Sequence, residues 1–600
     1  MLEPHTRAAL SEQLRPPSGF QLVHAVGTTF TLDLTTALSV PLSFAAHRAV
    51  DVADPIGVLE AVRRSADRID IFAQAGAISM GAASDLVAFL EPMVHPVRVT
   101  AGLFHPKVWL LEYGAGDERR YRFICGSRNL TADRSWDVVV RLDGWPAEQR
   151  HRAEAAAVNP PLRAFVRSLP QLALHGLSPT RRERIVALAD RTLSIAWETP
   201  DDMRGLAFHP LGIPGGVRPD LSGKRALIVS PFLSDDGLAL LRGAVRTETH
   251  VLSRAESFDR LAPASLDRRL TSYLLDDAAT QLADDEVGTS AVPQAERLSG
   301  LHAKAFIVDR HDGSHVLLGS ANATGAAWNG NVEFMVELVG SLHKFGVEAT
   351  LNALGELKEP YPAVGGEKPD ADEEAKRALE AQLRRLAAVP LWARVLPGEP
   401  YSLRVWADDT VTPIQRGLGE RGIALSWHLL TRRDLGGAAL GARESEGGEV
   451  LGLPLTDVTP FIVLVLRDTE GRQVSAIQLA QLLDDVDTRR DAIIARQLTD
   501  RAAFIRLLTL MLELAGVTLE GVAADAAHGF FGVAAAAGSG SGLFEALMRA
   551  VGDGHAGLAE VRRVVEFVRE HGDEHEVLPE GFAELWQRVW AAHLELGGVR

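Results

Sequence analysis

Residues 301–334 read LHAKAFIVDRHDGSHVLLGSANATGAAWNGNVEF, and the reading of this stretch decides the fold. The apolar run Ala305 to Val308 begins just after His302 and Lys304 and ends at Asp309. A second run, Val316 to Leu318, delivers Gly319, Ser320 and Asn322. Paired as a hairpin across the turn Arg310 to Ser314, the two runs put His302 and Lys304 on one face, because side chains alternate along a strand. Gly319 and Ser320 return to the same end. An imidazole, an ammonium, a hydroxyl and an amide then converge, and a phosphate anion needs such a set.

The same arrangement occurs earlier. Phe104-His105-Pro106-Lys107 opens the run Val108 to Leu111, which Glu112 ends. After the polar loop Gly114 to Arg120, the run Tyr121 to Cys125 delivers Gly126, Ser127, Asn129 and Thr131. Strands with exposed polar ends would account for one copy alone. Two copies, each with Ser and Asn in place, argue against that.

The pattern His-x-Lys, four residues, Asp, then Gly-Ser-x-Asn resembles the HKD motif of the phospholipase D superfamily, over residues 20 to 345. The C-terminal copy carries His302, Lys304, Asp309, Gly319, Ser320 and Asn322, with Asn331 and Glu333 as that family's downstream Asn-x-Glu. The N-terminal copy keeps His105, Lys107, Ser127 and Asn129, has Glu112 in place of the Asp, and offers Asp137 as the downstream acid. The resemblance implies a phosphohistidine intermediate resolved by water, with His105 as nucleophile and His302 as general acid.

The residues themselves suit phosphodiester cleavage, which needs a nucleophile, an acid for the leaving oxygen and cations for the equatorial oxygens. Lys107 and Lys304 with Asn129 and Asn322 would hold the non-bridging oxygens, supported by Ser127 and Ser320. Glu333, and Asp137 in the other copy, would fix each histidine's tautomer. Arg128, inside the Ser-x-Asn step, together with Asp137 and Asn331, is expected to face the substrate. No metal ligands and no cofactor are required.

The chain has 600 residues and a net charge of −17, with acids spread throughout, so a polyanion must be drawn in locally. The one cysteine, Cys125, is consistent with a reducing compartment and is expected to be a small buried residue. No basic n-region precedes an apolar core at the N-terminus, and no apolar run approaches the ~18 residues of a membrane span, so a cytoplasmic chain without stable membrane insertion is expected.

An α/β fold is expected, with two phospholipase D-like halves related by a pseudo-two-fold (1–200 and 201–355), a linker and helix (356–395), a β-rich module (396–488) and a helical C-terminal region (489–600). Gln21 to Leu34 alternates as strands, and Pro55 to Ala66 has helical spacing before a strand at Ile69 to Ala73. A helix at Ser84 to Phe89 leads to a strand at Val97 to Ala101, and Trp145 to Thr199 reads as helical. The second half repeats the theme with a strand Ala226 to Val229, a helix to Val245, a strand His250 to Ser253 and a longer helical region. Gly355 to Asp370 reads as a linker, and Ala371 to Ala388 as an amphipathic helix. Gly538 to Gly542 lacks the Lys-Ser/Thr of a phosphate loop and reads as linker. His571 and His575 read as a solvated turn, not a zinc pair. Trp586 and Trp590 share a helix face with Phe582 and read as core.

The expected activity is that of a metal-independent nuclease acting on DNA or RNA, with bacterial defence as its expected setting. The alternatives are a phospholipase or phosphatidyl transferase, or a non-catalytic phosphate-binding module. The C-terminal region, with no reactive set of its own, is expected to recruit the enzyme to a helicase or other nucleic-acid motor.

Overall fold

Strands buried on both faces read as continuous apolar runs, and strands with one wet face alternate. VWLLEY and YRFIC, the runs on either side of the first polar loop, are of the continuous kind. The computed structural model describes residues 10–44, 65–80, 85–132, 135–275, 300–498, 504, 547–548, 551, 557–571, 578 and 582–596. In it the strands β1 (Gln21–Thr29), β2 (Ile69–Gln74), β3 (Val94–Val97), β4 (Val108–Ala115), β5 (Glu118–Gly126), β6 (Val139–Pro146) and β7 (Ile195–Trp197) form one sheet, in the order β3-β2-β1-β4-β5-β6-β7. A second sheet contains β8 (Met203–Leu211), β9 (Arg225–Val229), β10 (Thr249–Ser253), β11 (Leu270–Leu275), β12 (Ala305–Arg310), β13 (Gly313–Gly319), β14 (Glu333–Gly340) and β15 (Lys358–Pro360). Its order is β8-β14-β13-β12-β9-β10-β11-β15.

The two sheets repeat one topology. In each, three parallel strands are followed by an antiparallel meander of three: β3-β2-β1 then β4-β5-β6, and β11-β10-β9 then β12-β13-β14. The meanders hold the two motif hairpins. Alternate residues of the first sheet enter different cores. Val108, Leu110, Phe123 and Cys125 share one with Ala305, Ile307, Val316, Leu318 and Phe334 of the second sheet. Trp109, Leu111 and Ile124 point the other way, into a core shared with Ile493, Val561, Val565, Trp586 and Val589 of the C-terminal helices. Both faces are therefore covered, and this explains the unbroken apolar runs.

Several elements differ from expectation. The strand expected at Val97 to Ala101 lies at Val94–Val97, paired with β2 from Ile71 to Gln74. The helix at Ser84 to Phe89 is a 3₁₀ turn, Asp85–Leu90. Trp145 to Thr199 is split into the helices Arg152–Val158, Pro160–Leu172 and Pro179–Thr192 and the strand β7. Proline at each of the last two helix starts explains the division. Among the described residues, the long helical region after Ser253 is a short helix, Ala255–Asp259, a 3₁₀ turn, Pro263–Ser265, and then β11, whose Thr, Tyr and Leu residues suit a sheet. Most of Pro55 to Ala66, together with His575 and Gly538 to Gly542, lies outside the described residues.

The expected linker is fixed to the second sheet. Lys358–Pro360 pairs with β11, the Tyr361 hydroxyl bonds Asp259 at 2.7 Å, and the Gly366 and Glu367 amides donate to Leu261 and Asp259 carbonyls at 2.8 Å each. After the helix Ala371–Ala387 come two four-stranded sheets between Leu391 and Leu483, beginning a little earlier than expected.

Candidate active site

The residue before each histidine bridges to the residue before the other copy's acid. Phe104 forms a parallel bridge with Val332, and Leu301 with Trp136. The His105 amide donates to the Val332 carbonyl and the His302 amide to the Trp136 carbonyl, each at 2.8 Å. Each histidine is thus hung on a segment of the opposite half, so the site exists only where the halves meet.

Glu333 sits at the start of β14, wholly buried, with Phe334 behind it in the aromatic core 4.8 Å from the Phe165 ring. One carboxylate oxygen lies 2.9 Å from His105 Nδ1 and also accepts the Ser320 hydroxyl. The other accepts the Asn331 amide at 3.1 Å, and Asn331 Oδ1 in turn accepts the Leu103 amide at 3.0 Å. The strand segment carrying Asn331 is pressed by two glycines of positive φ. A Cβ on Gly102 (φ +68°) would lie 2.2 Å from the Gly330 carbonyl oxygen, and one on Gly212 (φ +71°) 2.2 Å from that of Asn331.

The lysines reach the same place from both halves. Lys107 Nζ donates to the His105 carbonyl at 2.9 Å, and Lys304 Nζ to the His302 carbonyl at 2.7 Å and the Ser127 carbonyl at 3.4 Å. Lys304 Nζ also stands 3.3 Å from His302 Nδ1. Ser127 accepts the Val138 amide, and Ser320 the Phe334 amide, at 3.0 Å each. Asn129 and Asn322 match one another to the atom: each buries a side-chain oxygen that has no protein partner.

Both copies of the motif thus meet at one place between the two sheets. No family model and no curated protein matches the chain. Among solved structures, it is similar to a yeast tyrosyl-DNA phosphodiesterase at 13% identity, over 54% of this chain and 84% of that one, with a TM-score of 0.31. It is similar to a polyphosphate kinase from Porphyromonas gingivalis at 12% identity, over 63% and 51% of the two chains, with a TM-score of 0.33. For phosphatidylserine synthase of Haemophilus influenzae the identity is 13%, the coverage 63% and 88%, and the TM-score 0.30.

Charge in this pocket is heavily desolvated. Burial pushes Lys107 down to about 7, partly opposed by Glu333, and Lys304 well below its ordinary value, with Lys107 adding to the effect. Burial also lowers His302 to about 2, helped by Lys304, Lys107, His105 and Arg254. His105 is lowered by burial against the pull of Glu333. Burial acts to raise Glu333, but His105, Lys107 and Ser320 outweigh it and hold the carboxyl below its usual range. The pocket therefore holds more cationic groups than it can keep charged, and an entering anion relieves that.

His105, Lys107, Ser127, His302, Lys304, Ser320 and Glu333 are brought together as the sequence suggested. Asn331 is committed to Glu333 and the Leu103 amide, so it positions the acid instead of facing a substrate. Arg128 is half-buried and donates to the Thr131 carbonyl at 3.2 Å. The charge of Asp137 acts on Lys304. The third residue of each motif is structural. Glu112 holds Arg191 at 2.6 Å, and Asp309 holds Arg225 at 2.6 Å while accepting the Val347 amide at 3.0 Å. Both lie five positions along the strand from their lysine, so Glu in place of Asp does not alter the pocket. Three neighbours were not anticipated. Phe30 packs on the His105 ring with centroids 5.2 Å apart, and Arg254 donates to the Leu301 carbonyl at 2.6 and 2.9 Å beneath Phe232. These residues stand at the ends of the central strands β1, β9 and β10, remote in sequence from either motif.

Proposed function

We propose that this protein is a phosphodiesterase that cleaves nucleic acid through a phosphohistidine on His105, without a metal. The observation that carries the reading is the unlike surroundings of the two histidines. His105 Nδ1 meets the Glu333 carboxylate at 2.9 Å, whereas His302 Nδ1 faces the Lys304 ammonium at 3.3 Å. A carboxylate on Nδ1 keeps the proton there and leaves the Nε2 lone pair for attack. His105 Nε2 then bonds to phosphorus as the bond to the leaving oxygen breaks, and His302 gives that oxygen its proton. Water next attacks phosphorus, His302 takes up the water's proton, and the phosphorus–nitrogen bond breaks.

Burial and the neighbouring cations lower the proton affinity of His302, and the charge of a bound phosphodiester acts the other way, favouring the proton it must donate. Lys107 and Lys304 supply the positive charge that in other phosphoryl-transfer sites a metal supplies. Nucleic acid is favoured over a lipid headgroup by the arginines flanking the motif in each half, Arg128 and Arg254, since a strand offers neighbouring phosphates and a lipid offers one. The described C-terminal helices have their apolar faces in the core under the first sheet. That region is assigned here to completing the fold, not to docking a helicase or other motor.

The test is to incubate the purified protein with end-labelled single- and double-stranded DNA, RNA, and phosphatidylcholine vesicles, with and without EDTA. Cleavage of a nucleic acid at a rate EDTA does not change is expected. Cleavage of the lipid alone would overturn the substrate. Loss of activity in EDTA with rescue by Mg²⁺ would overturn the mechanism.

A further inference from the structure

Phe232 is 47% exposed although it lies three residues beyond β9, a buried central strand of the second sheet. Single exposed apolar side chains are common and mean little by themselves. This one is held rigidly, and it is tied to the site from two sides. The Ser230 hydroxyl donates to the Phe232 carbonyl at 2.8 Å, and the Ser257 hydroxyl to the Pro231 carbonyl at 2.7 Å. Leu233, the next residue, bridges to Ala323, which follows Asn322. Behind the ring lies Arg254, its guanidinium carbon 5.5 Å from the ring centroid, anchored to the carbonyl of Leu301, which precedes His302. The ring thus stands between the Asn322 and His302 arms of one motif.

The first half puts its aromatic to a different use. There Phe30 follows β1 and packs on the His105 ring, 5.2 Å between centroids, half-buried. The Thr29 hydroxyl accepts the Leu130 amide at 3.0 Å, as the Ser230 hydroxyl accepts that of Ala323 at 2.9 Å, and in that alignment Phe30 falls one residue before the position of Phe232. One aromatic therefore braces the nucleophile, and the other is presented outward.

We propose that Phe232, backed by Arg254, is a stacking platform for the nucleobase next to the scissile phosphate on the His302 side. An exposed ring fixed in place at the edge of a cationic pocket suits a base, because every base has a flat face and stacking tolerates any sequence. Arg254 holds the ring from behind and adds positive charge where the strand passes. The occupant is a single strand, since a paired and stacked base has no free face. This inference rests on the nucleic-acid reading of the site.

The experiment uses the full chain and two single-stranded oligonucleotides, one intact and one with a base-free residue on the leaving-group side of the cut. Phe232→Ala and Phe232→Trp are compared with the parent protein, each checked for an unchanged melting temperature. The parent should lose on the order of tenfold in kcat/KM when the base is absent, as expected of one stacked base. Phe232→Ala should show that loss on the intact strand and little further loss on the base-free one, and Phe232→Trp should restore the discrimination. Equal sensitivity to base removal in the parent and Phe232→Ala would overturn the platform while leaving the nuclease reading intact. Failure of the parent to cut any oligonucleotide, with phosphatidylcholine cleaved instead, would overturn both.

Discussion

His105 and His302 occupy matching places, yet the Glu333 carboxylate meets one and the Lys304 amino group faces the other, and the roles proposed for them rest on this difference. Replacing either with Asn should lower kcat by at least the ~10²-fold typical of a lost acid or base. Rapid denaturing quench with a labelled substrate should find phosphorus on His105, and phosphorus on His302 would reverse the assignment. Glu333→Gln should cost ~10²-fold or more in kcat with a smaller change in KM, because it frees the wrong tautomer while the lysines remain. Lys107 supplies a pH test. Burial brings it to about 7, so it is charged below that pH and neutral above, and inhibition by inorganic phosphate should weaken as pH rises through about 7. Lys107→Arg should flatten that dependence. The same group makes the folded state bind fewer protons than the unfolded chain between about 7 and 10.5, so its contribution to stability improves as pH rises across that window. The histidines, lysines and serines were legible because strand alternation puts them on one end of a hairpin. Arg254 and Phe232 were not, because no spacing rule links the end of β9 or β10 to a motif some fifty to seventy residues on.

Among the elements, the two hairpins were the most readable, and the strands at or beside the sheet edges the least. β8 reads MRGLAFHPL, whose Gly and Pro argue against a strand; it is tolerated because β8 is an edge strand, where a missing amide donor breaks no ladder. β11 stands next to the opposite edge, covered only by the three residues of β15. Nor does any pattern reveal how the helix Arg489–Gln497 docks. Arg489 is 1% exposed and its guanidinium meets Glu91, before β3, at 2.6 and 3.0 Å, with Asp485 at 2.7 and 2.9 Å. Burial acts to raise Glu91 and outweighs its arginine, so the pair is held under a real desolvation cost. Arg489→Met leaves Glu91 buried without its cation and should lower unfolding free energy by ~3–5 kcal/mol. Adding Glu91→Gln should recover part of the loss. A urea midpoint unchanged in the single variant would show that the pair does not hold the helix.

For the molecule as a whole, the first sheet and the described C-terminal helices share one core. All the candidate catalytic residues lie before Gly355, but the outer face of the first sheet does not end its core there. Trp109, Leu111, Tyr113 and Ile124 belong to one apolar cluster with Phe461, Ile493, Val561, Val565, Phe582, Trp586 and Val589. Linker composition gave no sign of this, because Gly, Pro and charge also suit a strap that runs along a surface, as Pro360 to Glu367 does along the second sheet. Cutting the chain after Gly365 therefore removes one layer of a sheet buried on both faces, and each large side chain left uncovered forfeits roughly 1.5–3 kcal/mol. A handful of such side chains equals the whole stability of an ordinary domain. Fragment 1–365 should consequently aggregate or bind a hydrophobic dye, and show no cleavage of any substrate the full chain cuts. Co-expression with fragment 366–600 should restore a soluble, active complex, because the missing layer can dock from a separate chain. If fragment 1–365 is instead monomeric, melts cooperatively near the full protein and cleaves as fast, the C-terminal region is no part of the catalytic fold. Its apolar faces would then need another occupant.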